Sequence, residues 1–281
     1  MARTTIHLMR HGEVHNPEGV LYGRLPGYHL SGLGNQMAAR VADVLAASGH
    51  DIAAVITSPL ERARESGAPT AEVFNLEAST DARLIEADNH FEGIPLNRNR
   101  WLLAHPGHWS YYRNPLRPSW GEPYTELVAR MRDAVASAIG QAEGREALLV
   151  SHQLPVWALR LWLEGRWLAH DPRRRQCSLA SLTSLTFEGR TLVGLAYWEP
   201  AGDLLRSAED MVPGTSAATV TMGRAGALKE EPPPAPVAQA AAPAGPASPA
   251  EQASPAGRAD EPGPDSQVGL QAGAGRAETP A

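Results

Sequence analysis

The segment TTIHLMRHGE, residues 4–13, decides the fold class, because it joins a short apolar strand directly to a cluster of charged and polar residues. The segment ALLVSH, residues 147–152, has the same form. Each segment places a histidine, His11 or His152, immediately after a predicted strand. Ligands of open α/β sheets bind beyond the carboxyl ends of the strands, so two neighbouring strands of this kind would bring both imidazoles into one pocket.

The pattern around these segments alternates between strands and helices. Apolar residues on one face predict helices, short apolar runs predict strands, and Glu188-Gly189-Arg190 predicts a hairpin turn. The predicted strands are residues 4–9, 52–57, 147–151, 182–187 and 191–198, and the clearest helices are residues 31–48, 124–142 and 154–164. This alternation predicts an α/β fold, a three-layer α/β/α sandwich with a mainly parallel sheet.

Two serines mark predicted helix starts. Ser31 is a suitable N-cap for the helix that Gly49 closes. Ser58 is predicted to cap the helix that follows the second strand, with Pro59 in its first turn. Gly67 weakens the middle of that helix, as does the nearby proline at position 69. Residues 81–123 are the hardest to interpret, and we expect a partly helical insertion over the site.

The end of the chain has a different composition. Residues 213–281 contain half of the 24 prolines and no aromatic residue. Such a segment cannot bury enough apolar surface to offset the entropy lost on ordering. We therefore predict one catalytic domain, residues 1–212, followed by a disordered Pro/Ala/Gly-rich tail, residues 213–281.

Composition also excludes several classes of protein. The net charge is −6 and no basic stripe is present, so nucleic acid is not an expected partner. No apolar run approaches the roughly 18 residues of a membrane span, and the first is too short for a signal peptide, so we expect a cytoplasmic location without membrane contact. The single cysteine, Cys177, forms no internal disulfide and is most simply a buried apolar residue.

The charged residues beside the strand ends favour phosphate binding. Arg10 adjoins His11, and Arg62 falls in the first turn of the predicted helix after the second strand. A guanidinium at a helix N-terminus combines a fork of donors with unpaired backbone N–H groups and the positive end of the helix dipole. Arg24, in a Gly-Arg loop, offers a third guanidinium. An ion pair on the helix surface is the alternative for Arg62, and a turn-forming role is the alternative for Arg24.

Taken in order, these residues resemble the histidine phosphatase superfamily, also called the phosphoglycerate-mutase-like family. The resemblance spans residues 4 to about 198 and rests on an ordered set of motifs rather than on Arg-His-Gly alone. The matching residues are Leu8 to Glu13, Asn16, Gly23-Arg24, Leu30 to Gly34, Thr57 to Glu65, Leu84-Ile85-Glu86 and Val150-Ser151-His152. The resemblance implies a phosphoglycerate-mutase-like fold and phosphoryl transfer through a histidine.

The resemblance also implies a role for each residue. His11 attacks phosphorus and becomes phosphohistidine, and Glu86 protonates the leaving oxygen and then activates water. The equatorial phosphate oxygens, where transition-state charge is spread, are bound by Arg10, Arg62 and His152, with Arg24 and Asn16 as further phosphate-binding candidates. No metal and no cofactor is implied. Asn16 has a turn-forming alternative, like Arg24.

Three departures from the family pattern affect the site. Gln153 stands where the family usually has glycine, and its side chain is expected to fill part of the pocket or to contact substrate. Gly121-Glu122-Pro123 replaces the Gly-Glu-Ser of many members. The spacing from Glu86 to Glu92-Gly93 is about one residue short, which makes Asp88 the other candidate acid.

The spacing of His7, His11 and His15 would suit metal ligands on a helix, but the strand-like segment 4–9 and Gly12 argue against a helix there, so we predict no metal site.

The preferred function is hydrolysis of a small phosphorylated metabolite. A mutase is less favoured because residues 85–123 show no clear match to the substrate-binding segments of cofactor-dependent phosphoglycerate mutases. A weakly active scaffold that recruits partners through its proline-rich tail is a third possible function.

Specificity is expected from residues 88–123, where aromatic and basic residues suit a second anionic group or a ring: Trp101, Trp109, Tyr111, Tyr112, Arg98, Arg100, Arg113 and Arg117. The alternative is that this insertion packs on the sheet or on a second subunit, and the sequence leaves a homodimer open.

Overall fold

In the part of the chain that the structure describes, six strands form one mixed sheet in the order β3-β2-β4-β1-β5-β6. The computed structural model describes residues 3–96, 101, 105–112 and 121–210, and only the backbone of residues 110–112. Strands β3, β2, β4 and β1 run parallel to their neighbours, and β5 and β6 add an antiparallel hairpin beside β1. The strands are β1 (Arg3–Arg10), β2 (Ile52–Thr57), β3 (Ser79–Thr80), β4 (Glu146–Ser151), β5 (Leu182–Glu188) and β6 (Thr191–Trp198).

Four helices cover the two faces of this sheet: α1 (Gly32–Ala47), α2 (Glu61–Val73), α3 (Tyr124–Ala142) and α4 (Gln153–Leu163). Leu8 and Leu149 share one core cluster with α3 and α4, whereas Met9 and Val150 share the other with α1 and α2. The central strands are buried on both faces, which explains their continuous apolar runs. The predicted three-layer α/β/α fold is thus confirmed.

The two predicted helix starts have different outcomes. Ser31 caps α1, because its Oγ accepts a hydrogen bond from the backbone N–H of Gly34 at 2.9 Å. The prediction that Ser58 caps the next helix is wrong: α2 begins at Glu61, with Leu60 in the cap position and no side-chain cap. Ser58 Oγ instead lies 2.8 Å from a ring nitrogen of His152, so the serine belongs to the site.

The remainder of the described chain closes the sheet edge and returns to α1. The predicted hairpin has Glu188 paired with Thr191 across Gly189, whose φ is +62°. After β6, residues 199–210 pack against the face that carries α1, and Nη1 of Arg40 in that helix donates to both carboxylate oxygens of Asp203. In the expected insertion, the described residues form short 3-10 turns at Ala82–Leu84 and Pro106–Tyr112.

Within the described residues, no helix has the length and apolar character needed to cross a bilayer. Residues 211–281 lie outside the described residues, so the predicted disordered tail and its boundary stay predictions. The same holds for Arg98, Arg100, Arg113 and Arg117, whereas Trp101 and Trp109 are described and exposed.

Candidate active site

The carboxyl ends of three neighbouring strands meet at one edge of the sheet. Strand β4 lies between β1 and β2, with Arg10 paired to Ser151. The backbone N–H of His11 donates to the carbonyl of Ser151 at 3.1 Å, and that of Ser58 donates to the carbonyl of Val150 at 2.8 Å. The structure therefore brings His11 and His152 together, and their ring centroids are 5.2 Å apart.

Two glycines allow the loop after β1 to pack directly against the start of α1. A Cβ on Gly34 would lie 2.0 Å from the carbonyl oxygen of Glu13, and a Cβ on Gly12 would lie 2.6 Å from the carbonyl oxygen of Gly34. Neither contact leaves room for a side chain, because backbone atoms cannot move aside. The glycines thus fix the position of His11 relative to α1.

The hydrogen bonds of His11 define its reactive atom. Its Nδ1 lies 2.8 Å from the carbonyl oxygen of Gly12, and a carbonyl can only accept, so Nδ1 carries the proton and Nε2 carries the lone pair. Burial, followed by the charges of Arg62 and Arg10, lowers the pKa of His11 well below its ordinary value. A buried neutral imidazole with a fixed tautomer is a competent nucleophile.

The second histidine, His152, has one ring nitrogen without a hydrogen-bond partner among the described residues. Nε2 of the fully buried His152 lies 2.8 Å from Ser58 Oγ, and Nδ1 is buried without a hydrogen-bond partner among the described residues. Burial, followed by the charges of Arg62 and His11, lowers its pKa well below the ordinary value. The ring therefore offers an unused polar atom beside His11.

Arg62 has the most exceptional environment in the pocket. Its guanidinium is fully buried, donates from Nη2 to the carbonyl of Gly23 at 2.6 Å, and lies 4.7 Å from the ring centre of Tyr22. Its Nε and Nη1 have no hydrogen-bond partner among the described residues. Leaving buried donors unsatisfied costs about 1–3 kcal/mol each, so such a group is suited to an anion that supplies the acceptors.

Arg10 is held through the two terminal nitrogens of its guanidinium. Its Nη1 and Nη2 donate to the Asp210 carboxylate at 2.7 and 2.6 Å, and Nη1 also donates to the carbonyl of the buried Cys177 at 2.9 Å. Its Nε is buried without a partner among the described residues. The sequence carries no local signal for Asp210, because that residue lies 200 positions away, beyond the last motif.

Glu86 is the carboxyl group of the pocket. Burial raises its pKa, opposed by the backbone N–H of Ala87 and by the charges of Arg62, Arg175 and Arg10. A raised pKa keeps a carboxyl protonated to higher pH, which suits a proton donor. The alternative acid, Asp88, is exposed, so the geometry favours Glu86.

The other two predicted phosphate ligands are engaged elsewhere. Arg24 donates from Nε to the carbonyl of Glu86 at 2.7 Å and from Nη2 to Glu122 at 2.9 Å, so it braces the loop that carries Glu86. The Asn16 amide bonds the backbone of Val20 in both directions, which favours its turn-forming alternative. The structure groups His11, His152, Arg10, Arg62 and Glu86, and the phosphate-binding roles of Arg24 and Asn16 stay predictions.

Sequence reasoning missed four neighbours of the site: Tyr22, Ser58, Arg175 and Asp210. The sequence pointed to Arg175 only indirectly, through the departure from the family pattern at position 153. Nη1 of Arg175 donates to Oε1 of Gln153 at 3.0 Å, so Gln153 holds this guanidinium.

A group of possible metal ligands lies apart from these residues. The ligand atoms of His7, His50 and Glu146 lie within 4.8 Å of one another among the described residues. Glu146 Oε2 lies 3.1 Å from His7 Nε2 and 2.7 Å from His50 Nδ1, so the three side chains already satisfy one another. They differ from the His7, His11 and His15 set considered from spacing.

A profile of the histidine phosphatase superfamily, branch 1, matches residues 6–198. The chain belongs to this superfamily. An uncharacterised protein of Mycobacterium tuberculosis strain H37Rv, Rv0525, is 54% identical over 198 residues, which cover 70% of this chain and 97% of that protein. A protein named probable phosphoglycerate mutase GpmB, from Citrobacter koseri, is 28% identical over 184 residues, covering 62% of this chain and 82% of that protein.

Two solved structures among those that share the fold illustrate the similarity. Bacillus stearothermophilus YhfR superposes with a TM-score of 0.56 at 26% identity, covering 67% of this chain and 94% of that one. The mycobacterial glucosyl-3-phosphoglycerate phosphatase Rv2419c superposes with a TM-score of 0.55 at 24% identity, covering 70% and 99%. As a member of the histidine phosphatase superfamily, this chain is a phosphatase-type enzyme in that general sense.

Proposed function

We propose that this histidine phosphatase hydrolyses a small phosphorylated metabolite through a phosphohistidine on His11, without a metal ion. The observation that carries the proposal is the set of buried donors without partners around His11, on Arg62 and Arg10, together with Nδ1 of His152. The lone pair on Nε2 of His11 suits attack on an electrophilic phosphorus, and the unpaired guanidinium donors of Arg62 and Arg10 suit the equatorial oxygens. Nδ1 of His152 donates to a further oxygen when it carries the ring proton and Nε2 accepts from Ser58.

The reaction follows from these positions in two steps. Nε2 of His11 forms a bond to phosphorus while the ester P–O bond breaks, and Glu86 gives its proton to the leaving oxygen. Water then attacks the phosphohistidine, Glu86 takes a proton from it, the P–N bond breaks and inorganic phosphate leaves. The guanidinium groups of Arg10 and Arg62 neutralise the equatorial oxygens in both steps.

The decisive experiment measures both turnover and the intermediate. The protein is mixed with p-nitrophenyl phosphate in the presence of a chelator, and phosphohistidine is sought by mass spectrometry under alkaline conditions, where that bond survives. We expect turnover and label on His11, and we expect His11→Ala to lose both. His15→Ala is the matched control, because His15 is exposed and lies four positions further along.

Wild-type activity retained by His11→Ala would overturn the mechanism. Loss of turnover in the chelator, restored by a divalent ion, would overturn only its metal independence. If neither turnover nor phosphohistidine appeared with a broad panel of phosphomonoesters, the scaffold function would be favoured.

A mutase remains the second candidate, since several relatives carry the name probable phosphoglycerate mutase. A mutase returns the phosphoryl group to a bound acceptor rather than to water. Incubation with 3-phosphoglycerate separates the two functions. Release of inorganic phosphate supports the phosphatase, whereas formation of 2-phosphoglycerate far faster than phosphate release supports the mutase.

A further inference from the structure

Arg175 is a third buried guanidinium beside the pocket, outside the residues assigned above to phosphoryl transfer. It follows the 3-10 turn Pro172–Arg174 and is 9% exposed. Its hydrogen bond to Gln153, the residue after His152, places it beside the pocket. Its positive charge acts on Glu86 and on Arg10.

Two neutral side chains hold this guanidinium in place. Nη1 donates to Oε1 of Gln153 at 3.0 Å, and Nε donates to Nε2 of His170 at 2.8 Å. Nδ1 of His170 lies 2.6 Å from the carbonyl of Leu168, so Nδ1 carries the proton and Nε2 is the acceptor. Burial lowers the pKa of His170, which favours the neutral ring.

Arg175 forms no ion pair with any described residue, in contrast to the arginines around it. Arg173 pairs with Asp171 at 2.7 Å, and Arg160 pairs with Glu164 at 2.8 Å. Residues 97–120, most of which are not described, contain no Asp or Glu that could serve as a counter-ion. A buried charge without a counter-ion among the described residues is strongly unfavourable, and Arg62 shares this condition.

We propose that Arg175 is a subsite for a second anionic group of the substrate, a carboxylate or a second phosphate. The inference rests on the proposed function, because it assigns Arg62 to the transferred phosphoryl group and Arg175 to the remainder of the molecule. A planar guanidinium suits either anion, since its paired N–H groups match two oxygens.

Gln153 is the positioning residue of this subsite. It directly follows His152 in α4, so its hydrogen bond to Arg175 ties the second anion position to the phosphate position. A glycine, usual at this place in the family, has no side chain to hold Arg175. Gln153, which departs from the family pattern, therefore contributes to substrate selection by holding Arg175.

The test uses substrate pairs that differ mainly in one anionic group. 3-Phosphoglycerate is compared with glycerol 3-phosphate for the carboxylate, and fructose 1,6-bisphosphate with fructose 6-phosphate for the second phosphate. We expect the wild type to prefer the more anionic member of at least one pair, and the pair identifies the anion. Arg175→Gln is expected to lower that preference, the ratio of the two kcat/KM values, by about tenfold or more.

Arg173→Gln is the matched control, because Arg173 is exposed, lies two positions away and pairs with Asp171. It is expected to keep the wild-type preference. Gln153→Ala is expected to lower the preference by a smaller factor, and it serves as the second variant if Arg175→Gln fails to fold, as judged by thermal unfolding.

Two results overturn the subsite. One is a wild type without preference in either pair, and the other is a preference that stays within about twofold of wild type in both Arg175→Gln and Gln153→Ala. Failure of the proposed function looks different, because the wild type would then release no phosphate from any of the four compounds.

Discussion

Glu86 and Asp88 are two positions apart in one loop, yet only Glu86 lies among guanidinium groups. Its pKa is raised by burial, although Arg62, Arg175 and Arg10 oppose the rise, whereas Asp88 is exposed. A residue of this kind shows how the environment of a carboxyl group, more than its identity, determines its use. Under the proposed function, the raised pKa gives Glu86 a measurable signature in the pH dependence of activity.

Glu86→Gln is expected to lower kcat/KM by about 10²–10⁴ for an alkyl phosphate, and by less for p-nitrophenyl phosphate, whose leaving oxygen needs little protonation. Because the pKa of Glu86 is raised, the wild type should lose activity as pH rises through that pKa and the acid form disappears. The variant should lack this alkaline limb when the pH profiles of kcat/KM are compared on one substrate.

Asp88→Asn is the control, and it should behave like the wild type with both leaving groups. Equal losses for the two esters in Glu86→Gln, with an unaltered pH profile, would remove Glu86 from the role of acid.

At the scale of elements, the packing of α2 against the sheet depends on Gly67, which the sequence alone predicted to weaken the helix. Gly67 faces β2, and a Cβ there would lie 2.7 Å from Cγ2 of Thr57 and 3.3 Å from Cγ2 of Val150. The helix continues past it and past Pro69 to Val73. Close contact with the sheet therefore outweighs the low helix propensity of glycine at this position.

Gly67→Ala is expected to lower the free energy of unfolding by about 1–3 kcal/mol, because the added methyl group overpacks the contact with β2. Gly140→Ala is the matched control, since Gly140 lies in α3 and a Cβ there would meet nothing within 4 Å. That change should raise the free energy of unfolding by about 0.5–1 kcal/mol through helix propensity. Urea denaturation measures both, and a Gly67→Ala protein at least as stable as wild type would contradict the packing argument.

At the scale of the whole molecule, residues 199–210 run from the edge strand β6 back to the candidate active site. Ala201 is buried, Asp203 pairs with Arg40 of α1, and the backbone N–H of Glu209 donates to Glu13 at 2.6 Å. The path ends with Asp210 on Arg10. This segment lies beyond residue 198, where the family match ends, and it holds Arg10 through Asp210.

Truncation tests this connection together with the predicted tail. A chain ending at residue 212 should match the full chain in thermal stability and in kcat/KM, and limited proteolysis of the full chain should yield a fragment of about 210 residues. A chain ending at residue 198 should unfold at lower temperature and lose kcat/KM by about tenfold or more, because Arg10 loses its carboxylate partner.

Asp210→Asn in the full chain separates the loss of the ion pair from the loss of packing. It should lower kcat/KM while leaving most of the stability in place. A 198-residue chain that equals the full chain in both measurements would show that residues 199–210 do not support the site.

The sequence by itself determined the order of the elements and the residues at the strand ends. Strand β2 and helix α3 have the predicted bounds, and His11, Arg62 and His152 converge as the strand-end argument required. These features depend on hydrophobic periodicity and on neighbours along the chain, which a sequence displays directly. The cap at Ser58 was mispredicted because a tertiary contact with His152 uses that hydroxyl.

Only the tertiary structure decided which polar groups have partners. The contacts from Asp210 to Arg10, from Gln153 to Arg175 and from Arg24 to Glu122 join residues 200, 22 and 98 positions apart. No periodic pattern marks such pairs, because they depend on strand order and on the return path of the chain. Whether a buried guanidinium already has a counter-ion or can accept one from a substrate is therefore a property of the folded molecule.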